Sequence, residues 1–415
     1  MQTTSLHCDM LNRPIRLPSE QARRRIVDMR FLDWLLILTL GFSIPLARLD
    51  ASESRPDIVR VATYNVSMYR DRAGQLADEL ERGDSRQARQ IAEVLQRVRP
   101  DVVLLNEFDY EQNGTRAVSA FRTQYLQKSQ QGLSPLAFPH YFYEPVNTGV
   151  DSGLDLDGDG QLGGPADAWG YGRYPGQYGM LLLSRLPIDR EKSSAYQHLL
   201  WADMPSPTWP RYPSSGEHFY NAAQRNILRL PSKSFWDVAI KLQHAETDNT
   251  LHLLCSHPTP PGFDGPEDRN GCRNYDEIGM IARHITDRVK RPFVVLGDLN
   301  SDPQDGGSRP GAMQQLFDLP AVNSNIVPRS EGAVVASRRR PEVNQSHRSD
   351  PAHDTAEFGG SGHGNLRVDY VLPSKQLEVV GSGVYWPKPG EPGSEAIKAS
   401  DHRLVWIDIR LPTGE

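Results

Sequence analysis

Cysteine is scarce in this chain, with only Cys8, Cys255 and Cys272 in 415 residues. No C-x-x-C spacing occurs, which excludes a thiolate zinc site of the usual pattern. Positive charge is also in short supply. The net charge of −6 leaves little of the counterion release that drives duplex binding, which counts against a dedicated DNA-binding protein. No internal repeat of 20–50 residues is visible, so solenoids and propellers are set aside. The one N-terminal apolar run, Trp34 to Phe42, is shorter than the roughly 20 residues a bilayer span needs.

Hydrophobic residues make up 38% and charged residues 24%, the balance of a soluble globular protein. Arg23, Arg24, Arg25 and Arg30 precede the apolar run, and the small residues Ala47 and Ala51 follow it. That order reads as a secretory signal peptide over residues 1–51. It predicts export to a periplasmic or extracellular location; the other reading is a membrane-anchored N-terminus. Cys255 and Cys272 are then an even pair in an oxidising compartment, either bridged or left as two unpaired thiols.

From residue 56 to 412 the pattern is that of one α/β domain. The run Ile58–Asn65 alternates and is β-branched, as a strand should be. Ala88, Ile91, Leu95 and Val98 share one helical face, with Asp84 or Ser85 placed to cap it and Pro100 to end it. Strands are predicted at 102–105, 251–255, 293–296, 366–372 and 403–409, and a helix over 275–289. Strands alternating with helices imply α/β organisation. Residues of about 140–225 and 301–365 read as loop-rich insertions, and long loops in a compact domain are usually functional.

Five motifs place polar residues at the ends of apolar strands: Tyr64-Asn65, Asn106-Glu107, Ser256-His257, Gly297-Asp298-Leu299-Asn300 and Ser400-Asp401-His402. Arg367-Val-Asp369-Tyr370 adds a further acid within a strand. In α/β sheets, ligand sites collect at strand ends. The residue types suit phosphate-ester chemistry, which needs positive charge, an activated water and a proton for the leaving oxygen. Glu107, Asp401 and Asn65 are hard oxygen donors suited to Mg²⁺, Mn²⁺ or Ca²⁺. His402 is a candidate for activating water with Asp369 fixing its tautomer, and His257 for protonating the leaving alkoxide or steadying the phosphate.

These motifs, in this order, resemble those of the endonuclease/exonuclease/phosphatase (deoxyribonuclease-I-like) superfamily, and within it the exported bacterial members. The resemblance covers about residues 56–412. It implies a four-layer sandwich, with two packed β-sheets flanked by helices, and hydrolysis of a phosphate ester with Mg²⁺ or Mn²⁺. It also implies roles: Glu107 as main metal carboxylate helped by Asn65 and Asp401, His402 paired with Asp369, and Asp298 with Asn300 positioning water and phosphate. Whether Asp298 or His402 is the base stays open at this point.

Two further features stand outside those motifs. Asp155-Leu-Asp157-Gly-Asp159-Gly160 begins like a calcium loop, with Asp167 as a late closing ligand. The run 258–274 after His257 is expected to overhang the site, which makes Arg269 and Arg273 candidate phosphate contacts, together with Lys233. The expected partner is a phosphate ester, whether a small molecule, lipid-derived or nucleic acid, with no obligate protein partner. The competing function is a catalytically silent module using the same fold for calcium-dependent binding.

Overall fold

Strand β1 (Ile58–Met68) is buried on both faces from Val61 to Val66, which marks it as a central strand. The computed structural model describes residues 58–242, 250–359 and 362–411. The predicted signal segment, residues 1–51, lies outside the described residues. The chain continues through helices α1 (Gln75–Arg82) and α2 (Arg86–Val98) into β2 (Val102–Phe108). Ser85 caps α2 by accepting a hydrogen bond from the Ala88 amide, and Arg99 closes it in a left-handed conformation just before Pro100. Helix α3 (Arg116–Ala120), β3 (His140–Phe142), β4 (Met180–Ser184), β5 (Ile188–Ala195) and the short α4 (Ala222–Arg225) follow. Next come β6 (Phe235–Lys241), β7 (Thr250–Ser256), α5 (Arg269–Asp287) and β8 (Phe293–Asp298). The last third comprises α6 (Gln314–Phe317), α7 (Glu331–Arg339), α8 (Pro341–Asn344), β9 (Ala356–Phe358), β10 (Gly364–Leu366), β11 (Asp369–Pro373), β12 (Glu378–Tyr385) and β13 (Leu404–Arg410).

Two large sheets result among the described residues, ordered β12-β13-β1-β2-β4-β3 and β11-β8-β7-β6-β5, and β9 and β10 form a separate two-stranded sheet. Strands β1 and β2 lie against β8 and β11, so the sheets pack face to face. Val61, Trp236, Val238, Leu296 and Val371 belong to the core they share, and Ile91 and Leu95 of α2 join the same cluster. On the far side of the second sheet, Ile278, Ile281 and Ile285 of α5 pack with Leu254, Val295 and Leu372 in a second core. The order helix, sheet, sheet, helix is the four-layer sandwich.

Each sheet has one parallel pair joined through a helix, β1–β2 and β7–β8. Each also has an antiparallel strand beside that pair, β13 on β1 and β11 on β8. The C-terminal ends of the parallel strands therefore meet the N-terminal ends of β11 and β13 along one edge. Asn65 stands opposite Asn106, and Asp298 opposite Asp369.

Several expectations change. Helix α5 begins at Arg269 rather than 275, so the overhanging loop stops at Asp268. The strand expected over 366–372 is two strands in different sheets, because Thr355 Oγ1 takes the amides of Val368 and Asp369 and breaks the ladder there. The 301–365 region carries α6, α7, α8 and the β9–β10 ribbon. Both Cys255 and Cys272 are free. They cannot meet, since Cys255 faces the core between the sheets and Cys272 the core beneath α5.

Gly297 precedes Asp298 at φ 150°, and a Cβ there would run into the Ser256 carbonyl of the neighbouring strand. Gly297→Ala is expected to destabilise the fold by about 2–4 kcal/mol through forced backbone displacement. Urea unfolding measures it, and an unchanged midpoint would contradict the packing described.

Candidate active site

The register between the two sheets brings the motif residues together. In the first sheet, β1 has one extra residue between Asn65 and Met68, a bulge opposite Asn106–Phe108. Within it Ser67 (φ 48°) and its neighbour across the ladder, Glu107 (φ 59°), both adopt the left-handed conformation. A bulge re-aims side chains at a sheet edge, and here Glu107, Ser67 and Asp401 line one cavity of about 590 Å³. Tyr178 (φ 58°), Phe263 (φ 62°) and Asn300 (φ 52°) line it too. Thus, among the described residues, five of the eight non-glycine residues with positive φ border a single cavity. Strain of this kind persists only where the surrounding structure enforces it, and it clusters at functional sites.

Asp298 is the junction. Its Oδ2 accepts from Asn65 Nδ2 at 3.0 Å and faces His257 Nε2 at 3.5 Å and His402 Nε2 at 3.8 Å. Its Oδ1 accepts from the Asn300 amide at 2.9 Å. Behind His402, Asp369 Oδ2 lies 2.9 Å from Nδ1 and also accepts from Thr355 Oγ1 at 2.8 Å. Burial pulls against the His402 imidazolium, but Asp369 and Asp298 raise it to about 10, so the ring is charged at neutral pH. Burial also opposes the Asp298 carboxylate, yet the charge on His402 and the His257 hydrogen bond hold it well below the usual carboxylate range. His257 goes the other way: burial and the Lys233 cation depress it to about 4, so it is neutral.

Glu107 is pushed up to about 7, chiefly by burial. A carboxylate in that setting is restored to its charged form by a nearby cation. Glu107 and the exposed Asp401 offer hard oxygens to the same cavity, the donor chemistry of Mg²⁺ or Mn²⁺. Asn65, expected as a helper ligand, is turned otherwise: its oxygen accepts from the Ser67 amide at 3.1 Å while its NH₂ donates to Asp298 and favours the charged form of Glu107. It positions carboxylates. Asp298, Asp369 and His402 can each bring one ligand atom within 4.8 Å of the others, but those atoms are already spent on one another and on Asn65. This is a hydrogen-bonded ion network.

Other expected residues fall outside the cavity wall. His257, 2% exposed, stands behind Asp298 and does not line the cavity. Lys233 is likewise buried behind the wall, its charge bearing on Glu277, Glu107 and Asp298. Arg269 pairs with Glu267 and covers the Phe219 ring. Arg273 spends its donors on the carbonyls of Leu230, Trp169 and Arg229. Both arginines belong to α5, not to an overhanging loop. In the acidic loop, Asp155, Asp157 and Asp159 approach one another, but Asp167 accepts from the amides of Leu156 and Gly164 instead of closing a calcium site. The four-carboxylate Ca²⁺ loop is therefore not supported.

Sequence reading missed the supports. Asn106 Oδ1 accepts from Thr63 Oγ1 and from the Asp298 amide, both at 3.2 Å, tying one sheet to the other. Glu277 takes the amides of Ser232 and Thr259, each at 2.6 Å, and so fixes the segments that carry Lys233 and His257. Asn274, one turn earlier, holds the Thr259 and Leu299 carbonyls. Their signal was available: two polar residues three apart beside the apolar face of a helix.

The sequence model of the Endonuclease/Exonuclease/phosphatase family matches residues 62–402. Among solved structures, the chain is similar to the endonuclease/exonuclease/phosphatase from Beutenbergia cavernae DSM 12333, at 18% identity over 85% of this chain and 72% of that one, TM-score 0.46. It is also similar to a family protein from Leptotrichia buccalis C-1013-b (13% identity, 85% and 100% covered, TM-score 0.43). A third is beta toxin 275-280 from Staphylococcus aureus (14%, 84% and 99%, TM-score 0.39). No curated protein matches.

Arg273→Ala is expected to lower stability by about 2–4 kcal/mol, because it leaves three backbone carbonyls without their donor. A chemical-denaturation curve decides it. Unchanged stability with a raised KM would restore the substrate-contact role.

Proposed function

Because this chain belongs to the endonuclease/exonuclease/phosphatase family across residues 62–402, we propose that it hydrolyses a phosphate ester with a divalent cation held by Glu107 and Asp401. The family's members are typically metal-dependent phosphoesterases. The carrying observation is that Glu107, Asp298, Asn300, Asp401 and His402, drawn from strand ends up to 295 positions apart, border one cavity. A bound Mg²⁺ or Mn²⁺ would neutralise phosphate charge and polarise the ester. The chain's own groups supply the rest. Asn300 is fixed through its amide on Asp298 and its Nδ2 on the Pro258 carbonyl at 3.1 Å, ready to orient phosphate or water. His402, already protonated, has no free lone pair for a base, so it steadies negative charge and has a proton to give. That leaves the ionised Asp298 to take the hydrogen of the attacking water. Water's oxygen bonds to phosphorus, the P–O bond to the alcohol breaks, and the leaving oxygen ends protonated.

The basic and apolar N-terminal run supports placing this activity outside the cytoplasm. N-terminal sequencing of the exported protein is expected to start after Ala47 or Ala51; recovery of an intact Met1 would refute export by cleavage.

Glu107→Gln is expected to cut metal-dependent turnover by about 100-fold or more, while the melting temperature in chelator above pH 7 holds or rises. The sign follows from the raised carboxyl: above about 7 the partly desolvated charge costs stability, and an amide removes it. Full activity of the variant would end the assignment. In the wild type, protons compete with the cation for Glu107 below about pH 7, so the metal concentration for half-activity should climb about tenfold per pH unit. A flat dependence between pH 5 and 7 would contradict Glu107 as ligand.

A further inference from the structure

Among the described residues lining the active cavity there is no lysine or arginine. The charged members are Glu107, Asp298, Asp302, Glu357 and Asp401, with His363 and His402 as the titratable bases. Guanidinium groups on neighbouring segments are already paired: Arg269 with Glu267, Arg309 with Asp268, Arg403 with Glu357 and Arg173 with Asp71. Recognition of several phosphates calls for an array of such cations. The charges here answer one phosphate at the reaction centre and repel a second.

The remaining wall is aromatic. Phe263 is 89% exposed and sits at φ 62°, so both its ring and its backbone are held at a cost. Its loop is pinned: Asn270 donates its amide to Asp264 and its Nδ2 to the Gly262 carbonyl, each at 2.6 Å, and Pro258, Pro260 and Pro261 stiffen the approach. Tyr178, also at positive φ, packs on the 40%-exposed Tyr69 with ring centroids 4.5 Å apart. Ring faces presented to solvent by a strained, fixed backbone are satisfied when another ring covers them.

We infer that Phe263 and the Tyr69–Tyr178 pair form a subsite for a ring-bearing organic group on a substrate with a single phosphate, and that the cavity discriminates against polyanions. This rests on the phosphoesterase reading above and adds the substrate class. The test uses the full chain and two diesters with the same leaving group, methyl p-nitrophenyl phosphate and phenyl p-nitrophenyl phosphate. The phenyl ester is expected to have the higher kcat/KM, by about tenfold. Phe263→Ala should remove most of that preference, with a larger loss on the phenyl than on the methyl ester and an unaltered melting curve. Phe263→Tyr should keep the preference. Inositol hexakisphosphate, at constant free metal, should compete poorly. Equal kcat/KM for the two esters, equal losses on both in Phe263→Ala, or tight competition by the hexakisphosphate would each overturn the inference. Metal-dependent hydrolysis of neither ester would instead remove the phosphoesterase reading, and the inference with it.

Discussion

One buried carboxylate organises this molecule's chemistry. Asp298 is 1% exposed, and a charge so enclosed costs several kcal/mol unless it is paired and hydrogen-bonded. Its partners come from both sheets: Asn65 from β1, His402 from just before β13, His257 from just after β7 and the Asn300 amide beyond β8. The packing of sheet on sheet and the ionisation of the site are therefore one constraint. Asn106 repeats the link from the other side, receiving Thr63 of its own sheet and the Asp298 amide of the facing one.

That constraint separates two histidines of the same intrinsic basicity. His402 has a carboxylate on each side and is held charged; His257 shares Asp298, but burial first and the Lys233 cation second hold it neutral. Different surroundings thus give two like groups opposite charge states within one network. The cavity's backbone strain belongs to the same design. Ser67, Glu107, Tyr178, Phe263 and Asn300 are all left-handed without being glycine and line one space; the bulge in β1 aims Ser67 and Glu107 there, and the turn after Asp298 aims Asn300.

Much of this was legible in residue order. Apolar strand runs ending in Asn, Glu, Asp or His marked β1, β2, β7 and β8, and the Asp84-Ser85 pair announced its helix, because periodicity and capping are local effects. What failed was nonlocal. Arg269 and Arg273 looked like phosphate ligands because a loop was expected where α5 begins. Asp167 looked like a calcium ligand until its oxygens were found on the Leu156 and Gly164 amides. The 366–372 strand divides because Thr355, from the β9 approach, captures two of its amides.

The sequence by itself determined the α/β alternation, the strand-end positions of Asn65, Glu107, Asp298 and His402, and the chemistry their side chains can perform, since these depend on side-chain type and near neighbours. Only tertiary structure decided which of them face a common cavity, which are spent on backbone groups, and which histidine carries the charge. Those outcomes depend on register across two sheets and on burial, and both arise from contacts between segments hundreds of residues apart.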